Sequence, residues 1–332
     1  MPKIYIGIPT INRPQFVRDT IGSVLGQSYS DFKVTVSDNC STTEAVESVR
    51  RYIESLDDER IEFHVQPSNV GEYGQGRFFM QQAEGYDYLM ILHDDDVLES
   101  NYLEKSTAVL EDQPDVSLFM ANPYLMDEAG VISRAATEQY LKIRHRTDLG
   151  DGKIGVLKGF FGFGITSVSG TLFRVESLRQ SGFVDADATG NYPFECDLFL
   201  RLGDINATAW FSSSHLLGFR FHSSSMRNYM NLMDNRHVVT GLIRLLSARE
   251  YSGKIERRRR VILGRLNRAY ALICLREGDF RQSRSSIVEA LRDNILSPKA
   301  WLVTPLIFFV PGIFRRALPK LPESLVAPTY AE

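Results

Sequence analysis

Short apolar runs alternate with amphipathic runs over the first 120 residues. The apolar runs predict strands at residues 4–8, 32–36, 61–65 and 88–92. Apolar positions at helical spacing predict helices at residues 14–25, 43–55 and 78–83. Pro14 suits the first position of the first helix, where a missing N–H costs nothing. Strands that alternate with helices predict a parallel sheet with helices on both faces.

The rest of the chain has a less regular pattern. Between residues 116 and 221 it predicts strands at 117–122 and 165–174, a glycine-rich turn at 158–164 and a helix at 194–203. Beyond His222, helices are predicted at 231–248, 254–276 and 280–291, with a turn at Gly278. We therefore predict an α/β unit with an α+β second half over residues 1–225, followed by a helical extension over residues 226–332.

The composition is that of an ordinary globular protein. Of the 332 residues, 43% are hydrophobic and 24% are charged, which excludes a disordered or collagenous chain. Cys40, Cys196 and Cys274 are far apart and lack metal-ligand spacing, so they favour a reducing compartment over a zinc site or a disulfide framework. The first residues lack the pattern of a signal peptide, and we expect a cytoplasmic protein.

Charge is distributed unevenly along the chain. Residues 1–250 carry 23 basic and 34 acidic side chains, a net −11, whereas residues 251–332 carry 15 and 7, a net +8. The basic part contains an apolar run at residues 298–316 that Pro305 and Pro311 interrupt. This run is too short to span a bilayer. An apolar run with aromatic residues and flanking cations is typical of segments that lie in the interface of an anionic membrane.

We therefore expect an amphipathic segment that attaches the protein peripherally to the inner face of the cell membrane. The alternative is that the apolar run packs on the protein's own core or at a contact between copies in a homo-oligomer. A nucleic-acid partner is not expected, because an apolar run has no use in binding a phosphate backbone.

Polar residues collect where three of the predicted strands end. Residues 9–13 follow the first strand, residues 37–41 the second and residues 93–96 the fourth. The carboxyl ends of parallel strands meet at one edge of a sheet, where ligands bind in such folds. The three loops are therefore expected to form one site. No G-x-G-x-x-G or P-loop motif follows a strand, which disfavours dinucleotide binding.

Three consecutive carboxylates, Asp94, Asp95 and Asp96, lie in the last of these loops. Crowded anions repel, and Mg²⁺ or Mn²⁺ held by one or two carboxylates relieves the repulsion and takes other ligands from water and phosphates. A metal–diphosphate site is the resulting hypothesis. The alternative is an acidic helix start, since aspartates favour N-caps and first turns. Asp38 can accept a hydrogen bond from a base or a ribose, or can serve as a turn residue.

Several ordered segments resemble those of a known family. They read PTINR at 9–13, SVLGQS at 23–28, VSDNCST at 36–42, NVG at 69–71, HDDD at 93–96, FR at 173–174, GFVD at 182–185 and FECDLFLR at 194–201. In this order they resemble the landmarks of family 2 glycosyltransferases with the GT-A fold. The resemblance implies a Rossmann-like mixed sheet flanked by helices, with a nucleotide-binding half at residues 1–120 and an acceptor-binding half at residues 121–225.

The resemblance also implies an activity. A sugar would move from a nucleoside diphosphate sugar to an acceptor hydroxyl with inversion at the anomeric carbon. The acceptor would be a glycan or a lipid-linked molecule in cell-surface polysaccharide or glycolipid assembly. A divalent metal, Mn²⁺ or Mg²⁺, would neutralise charge on the departing diphosphate.

Carried over residue by residue, the resemblance assigns donor and metal sites. Nucleotide-sugar contacts fall to Pro9, Thr10, Asn12, Arg13, Asp38, Arg77 and Asp94, and metal ligands to Asp95, Asp96 and His222. The register is open, because spacing permits Asp94 with Asp96 whereas the family pattern overlays on His93, Asp94 and Asp95. Arg13 and Arg77 also fit surface salt bridges, and His222 also fits a structural role.

Inverting transfer needs a base that takes the proton of the acceptor. Glu195 replaces the Asp that is usual in the family and is our predicted base, with Asp197 as the alternative; an ordinary first-turn acid is the other interpretation of Glu195. Segment 159–164 is expected to form a mobile loop near the acceptor or a packed turn. Two other functions remain compatible: nucleotidyl transfer on a similar scaffold, and an inactive membrane-bound binding or scaffold protein.

Overall fold

The computed structural model describes residues 1–165, 167–182, 193–222 and 232–318. The chain divides into two compact units, Met1–His222 and Ser223–Glu332. None of the described helices combines the length and the apolar character that crossing a membrane requires.

The described part of the first unit contains nine strands and eight helices. The strands are β1 (Ile4–Thr10), β2 (Phe32–Asp38), β3 (Ile61–Val65), β4 (Tyr88–Ile91), β5 (Val97–Leu98), β6 (Leu118–Met126), β7 (Gly152–Gly155), β8 (Thr171–Arg174) and β9 (Thr208–Arg220). The helices are α1 (Pro14–Leu25), α2 (Thr43–Leu56), α3 (Gly71–Gln82), α4 (Tyr102–Asp112), α5 (Arg134–Ile143), α6 (Val156–Phe163), α7 (Val175–Gln180) and α8 (Pro193–Asp204). The first helix begins at Pro14, as predicted.

The nine described strands form one mixed sheet. Their order is β3-β2-β1-β4-β8-β6-β9-β5, and β7 pairs with β9. β3, β2, β1 and β4 are parallel, as the alternation of strands and helices predicts. β8 is antiparallel to both β4 and β6, so the run of parallel strands that begins at β3 ends at β4, whereas β6 and β9 are again parallel. The carboxyl ends of β1, β2 and β4 therefore meet at one edge of the sheet. At β4 the strand pairing changes from parallel to antiparallel.

Hydrophobic cores cover both faces of this sheet. In β1, the side chains of Ile4, Ile6 and Ile8 belong to one core cluster and that of Tyr5 belongs to the other. β4 alternates between the two clusters in the same way. Because both faces are covered, β1 and β4 appear in the sequence as continuous apolar runs without a polar face.

Three elements differ from the sequence prediction. The strand predicted at 165–174 is limited to β8, and the helix predicted at 78–83 begins seven residues earlier as α3. The segment predicted as a glycine-rich turn or mobile loop is the helix α6, which ends at Gly164 in a left-handed conformation (φ 55°). Val156 of α6 is buried in a core cluster, and Phe160 and Phe163 pack against that cluster. This packing outweighs the low helix propensity of the glycines.

The second unit is helical over its described part. Its helices are α9 (Arg236–Ser247), α10 (Gly253–Glu277), α11 (Phe280–Asp293), α12 (Pro298–Phe309) and α13 (Pro311–Ala317). α10 ends at Gly278, whose left-handed conformation (φ 89°) is typical of a glycine that terminates a helix. Ala300 and Ile307 of α12 are buried in one cluster with residues of α10 and α11.

The apolar run at residues 298–316 forms two short helices, α12 and α13. α12 is not amphipathic, contrary to the expectation. Its one buried side faces the helical core, whereas Trp301, Leu302 and Phe309 are 53%, 71% and 84% exposed. In α13, Ile313 is 70% exposed. The run is therefore anchored in its own unit along one side and leaves most of its large apolar side chains in solvent.

Gly7 lies at a close contact between β1 and α3, and a substitution tests this packing. A Cβ atom at Gly7 would lie 2.4 Å from the fully buried ring of Phe79. We expect Gly7→Ala to lower the free energy of unfolding by about 1–3 kcal/mol. The control is Gly22→Ala in α1, where the added Cβ meets nothing within 4 Å and alanine favours the helix by about 0.5–1 kcal/mol. Urea unfolding measures the stability of both variants. A Gly7→Ala variant as stable as the wild type would contradict the described packing of Gly7 on Phe79.

Candidate active site

The loops that follow β1 and β2 are tied together at the edge of the sheet. Thr10 and Asp38 are register partners at the ends of the two strands. Asn12 has a left-handed conformation (φ 54°), which asparagine tolerates better than most residues. Its backbone N–H donates to Ser41 Oγ (2.8 Å), and its Oδ1 accepts from the Thr42 N–H (2.9 Å). The side chain of Asn12, predicted as a nucleotide contact, thus connects the two loops.

Asp38 and Asn39 hold the loop after β2. Asp38 is 1% exposed, and its Oδ1 accepts from the Ser41 N–H (2.7 Å), which is the turn role that the sequence left open. Asn39 Oδ1 accepts from the Val70 N–H (2.9 Å), and its Nδ2 donates to Asn69 Oδ1 (2.9 Å). The loop after β2 therefore also fixes the chain that enters α3.

The Asp94 carboxylate is held by two residues of the loop after β1. Its Oδ2 accepts from Thr10 Oγ1 (2.7 Å), and its Oδ1 lies 3.2 Å from Arg13 Nη1. Burial raises the pKa of Asp94 to about 6, against the opposing effect of the Arg13 guanidinium. The structure thus brings Thr10 and Arg13, which follow the first predicted strand, together with Asp94, which follows the fourth.

Asp95 is held by Arg13 and by the end of β9. Its Oδ2 lies 3.2 Å from Arg13 Nη1 and 2.9 Å from His222 Nε2. Arg220 Nε donates to the backbone carbonyl oxygen of Asp95 (3.1 Å). His222 is 6% exposed, so its contact with Asp95 is shielded from water. The predicted metal residue His222 therefore contacts the acidic loop directly.

The Asp96 carboxylate is anchored from two other directions. Its Oδ2 accepts from Ser169 Oγ (2.5 Å), and its Oδ1 accepts from the Arg220 N–H (3.2 Å). Its backbone carbonyl oxygen accepts from Thr20 Oγ1 (2.8 Å). Burial raises the pKa of Asp96 to about 7, and the negative charge of Asp95 adds to this shift. Asp96 is thus fixed in position while its negative charge is disfavoured.

His93, Asp95 and Asp96 form a group that can hold a metal ion. One ligand atom from each lies within 4.8 Å of the others; Asp94 and His222 are outside this group in the described structure. An imidazole nitrogen with carboxylate oxygens suits Mn²⁺ better than Mg²⁺, which prefers oxygen alone. Burial lowers the pKa of His93, but the surrounding carboxylates, Glu195 first among them, raise it above its ordinary value. One imidazole and two carboxylates so close together are a donor set that fits a divalent cation.

Glu195, the predicted base on α8, lies beside this group. Its Oε1 accepts from the Val168 N–H (3.2 Å) and lies 3.8 Å from His93 Nε2. Burial raises the pKa of Glu195, whereas positive charge on His93 lowers it. A carboxylate with a raised pKa is a stronger base than one in water.

Asp197, the alternative base, has structural partners. It is 2% exposed, and its Oδ2 accepts from Tyr73 Oη (3.1 Å) and from Arg201 Nε (2.9 Å). These bonds join α8 to α3 and close one turn within α8. The Asp197 side chain is thus buried in structural contacts (4% exposed), whereas that of Glu195 is 24% exposed.

A cleft of about 780 Å³, including the open space at its mouth, lies at this edge of the sheet. The predicted site residues that line it are Pro9, Thr10, Arg13, Asp94 and Asp95. Among the described residues, the predicted site residues outside its lining are Asn12, Asp38, Arg77, Asp96, Glu195, Asp197 and His222. Residues 183–185, part of one segment that carries the family resemblance, lie outside the described residues.

Some residues of the site were not predicted from the sequence. His93 joins the candidate metal group, and Arg220 holds both Asp95 and Asp96. Four residues of α3 line the cleft at positions i, i+3, i+4 and i+7, namely Glu72, Gln75, Gly76 and Phe79. This spacing is a helical face that the sequence contains, but it becomes visible only when α3 is taken to begin at Gly71.

Comparison with protein families identifies the class to which this fold and site belong. A model of glycosyl transferase family 2 matches residues 5–181, which is more than half of the chain. The chain belongs to glycosyl transferase family 2, as the resemblance in its sequence implied.

Curated relatives match part of the chain. The putative colanic acid biosynthesis glycosyl transferase WcaA of Escherichia coli K12 is 32% identical over 124 residues, covering 37% of this chain and 43% of the relative. The GalNAc(5)-diNAcBac-PP-undecaprenol beta-1,3-glucosyltransferase of Campylobacter jejuni is 33% identical over 104 residues, covering 31% of this chain and 33% of the relative. The chain spans less than half of the length of the curated relatives that it matches.

Two solved structures share the fold. Staphylococcus aureus TarS 1–349 in complex with UDP-GlcNAc has a TM-score of 0.60 at 13% identity, covering 95% of this chain and 87% of that chain. The mannosyltransferase PcManGT of Pyrobaculum calidifontis, in complex with GDP-Man and Mn²⁺, has a TM-score of 0.57 at 13% identity, covering 95% and 83%. At this identity the likeness concerns the fold, which is the expected GT-A fold.

The different surroundings of Glu195 and Asp197 lead to a stability test. Asp197→Asn weakens the bonds to Tyr73 and Arg201, and we expect it to lower the free energy of unfolding by about 1–2 kcal/mol. Glu195→Gln is expected to leave stability unchanged or slightly higher, because burial already disfavours the charged form of Glu195. Denaturant unfolding of the two isosteric variants provides the comparison. A larger loss in Glu195→Gln would assign the structural role to Glu195.

Proposed function

We propose that this protein transfers a sugar from a nucleoside diphosphate sugar to an acceptor hydroxyl, with inversion at the anomeric carbon. The observation that carries this proposal is the group of His93, Asp95 and Asp96 next to Arg13 at the sheet edge. A diphosphate is bound by concentrated positive charge, and a divalent cation beside a guanidinium supplies it in one place. Membership of glycosyl transferase family 2 supports the same reaction class.

Different residues of the site bind different parts of the donor. Pro9 and Thr10 line the space that takes the nucleotide, and Asp94, fixed by Thr10 and Arg13, contacts the ribose. Asp38 acts indirectly, because its carboxylate holds the loop beside that space. In this scheme residues 1–120 bind the donor and residues 121–225 the acceptor.

When bound, Mn²⁺ or Mg²⁺ supplies a Lewis acid that neutralises charge on the leaving diphosphate. His93, Asp95 and Asp96 would hold it. Their own positions are fixed by neighbours: Ser169 and Arg220 hold Asp96, and His222 holds Asp95. Because these contacts exist before any ligand arrives, little reorganisation is needed during the reaction.

Glu195 takes the proton of the acceptor hydroxyl at a carboxylate oxygen. The Val168 N–H donates to its Oε1, and His93 Nε2 lies 3.8 Å away; this position beside the proposed metal group supports the assignment. The acceptor is proposed to be a glycan or a lipid-linked molecule in cell-surface polysaccharide or glycolipid assembly. The names of the relatives from E. coli and C. jejuni, which refer to colanic acid biosynthesis and to an undecaprenol-linked glycan, support this choice.

A binding and turnover experiment tests the proposed function. One nucleoside diphosphate sugar of a panel is expected to raise the melting temperature of the full chain, and to do so more with Mn²⁺, because a ligand that binds only the folded state stabilises it. With that donor, Asp95→Asn and Glu195→Gln should each lower turnover on the order of a hundredfold or more.

Two results would contradict the proposal. Full activity in both variants would show that Asp95 and Glu195 are not part of the active site. A response to nucleoside triphosphates alone, with release of pyrophosphate, would identify a nucleotidyltransferase in its place.

We also propose that the helical unit attaches the protein to the inner face of an anionic cytoplasmic membrane. Large apolar side chains of α12 and α13 are exposed, among them Leu302, Phe309 and Ile313. The net charge of +8 over residues 251–332 supplies the attraction to anionic lipids. Insertion of these side chains at the interface, combined with that attraction, is enough for reversible binding.

Vesicle flotation tests the membrane proposal. Replacing Leu302, Phe309 and Ile313 with Ser should reduce flotation of the full chain on vesicles with anionic lipid, with little change in melting temperature because the side chains are exposed. The control is Ile143→Ser, an equally exposed apolar residue (67%) outside the segment. Undiminished flotation of the triple variant would contradict the membrane role. If the wild type instead forms oligomers and the triple variant does not, these helices serve contacts between copies of the chain.

A further inference from the structure

One buried side chain in the cleft lacks a hydrogen-bond partner in the described structure. Both polar atoms of the Gln75 carboxamide, Nε2 and Oε1, are without a partner, although the residue is only 3% exposed. Most buried polar side chains in proteins are hydrogen-bonded, because an unpaired one loses its hydrogen bonds to water on burial and gains none in the protein. The carboxamide of Gln75 is therefore available to a partner beyond the described residues, such as a ligand in the cleft.

Another buried glutamine, Gln27, shows the hydrogen bonds of a glutamine with a structural role. Gln27 is 7% exposed; its Nε2 donates to the carbonyl oxygens of Ser23 (3.0 Å) and Glu99 (2.8 Å), and its Oε1 accepts from the Leu103 N–H (3.0 Å). Gln75 has the same chemistry and similar burial without these bonds. Its difference lies in its position, since Gln75 lines the cleft.

The backbone that carries Gln75 is fixed by close packing. At Gly76, a Cβ atom would lie 2.2 Å from the ring of Phe194, so the ring packs directly on the helix backbone. One turn further, Phe79 packs against Gly7 of β1. α3 is therefore held on α8 and on the sheet, and the Gln75 carboxamide is presented to the cleft from a rigid support.

The walls near Gln75 define the chemistry of its partner. The cleft lining contains the apolar residues Ile11, Phe79, Ile91 and Phe194. Its charged residues are Glu72, which lies about one turn before Gln75 on α3, and those of the loops of Arg13 and Asp94. A sugar carries hydroxyls on all sides and needs several polar partners. A nucleobase has two apolar faces and a polar edge, and therefore fits apolar walls with a carboxamide and a carboxyl group on one helix face.

We propose that the Gln75 carboxamide hydrogen-bonds the edge of the donor's nucleobase and thereby selects the nucleotide. A carboxamide offers N–H donors and a C=O acceptor in one plane, which matches a base edge with adjacent donor and acceptor atoms. This inference rests on the proposed function, because it assumes that a nucleotide occupies the cleft. It makes Gln75 a specificity residue, separate from the group of His93, Asp95 and Asp96.

Calorimetric binding to the full chain tests this assignment. The probes are nucleoside diphosphates with different bases, and pyrophosphate as a ligand without a base, all with Mn²⁺. Gln75→Met, a substitution of similar shape, should weaken binding of the preferred nucleoside diphosphate by roughly tenfold or more. Its affinity for pyrophosphate should not change, because the metal group is intact.

Stability of the ligand-free protein gives a second readout. Gln75→Met should melt at the same temperature as the wild type or higher, because it replaces an unpaired buried amide with an apolar group. The matched control Gln27→Met should melt at a lower temperature, because it leaves the Leu103 N–H and two carbonyl oxygens without their partner.

Three outcomes would overturn the role of Gln75 while leaving the proposed function intact. Unchanged nucleotide affinity in Gln75→Met would show that Gln75 does not contact the nucleotide. Equal losses for pyrophosphate and nucleotide would indicate a general disturbance of the cleft. A loss confined to the nucleotide sugar, with the nucleoside diphosphate unaffected, would assign Gln75 to the sugar. If the wild type binds no nucleotide with Mn²⁺, the proposed function itself fails.

Discussion

Repulsion among three adjacent carboxylates at the end of β4 is the constraint on which the site depends. Asp94, Asp95 and Asp96 are all buried, and burial raises the pKa values of Asp94 and Asp96 to about 6 and 7. Such a cluster persists only if opposite charge and hydrogen-bond donors surround it. Arg13 and Arg220 supply part of this compensation, and the remaining excess of negative charge is what a divalent cation would neutralise.

The sheet order explains how these partners reach the cluster. β4 lies between parallel β1 and antiparallel β8, so the loop after β1 approaches the acidic residues from one side and Ser169, just before β8, from the other. β9 ends near them and brings Arg220 and His222. The change from parallel to antiparallel pairing therefore concentrates contacts from distant parts of the chain on one loop, and the cleft lies at that boundary.

Neighbouring residues of one helix acquire different roles through helical geometry. Glu195 and Asp197 are two residues apart on α8, so their side chains leave the helix in nearly opposite directions. Glu195 lies beside His93, whereas Asp197 bonds Tyr73 of α3. The same geometry lets α3 present Gln75 to the cleft while Tyr73 fixes the helix to α8. Both helices thus combine a structural face with a face toward the site.

The sequence by itself determined the parallel strands, most helix positions and the family, because apolar periodicity and turn residues act locally and the landmark segments keep their order. It also placed the polar loops at strand ends. Only the tertiary structure decided which acids have partners, that Asn12 and Asp38 hold loops, that segment 158–163 is helical, and that Gln75 lacks a partner among the described residues. These properties depend on contacts between residues far apart in the chain, and packing energy at such contacts exceeds the local preferences that a sequence pattern records.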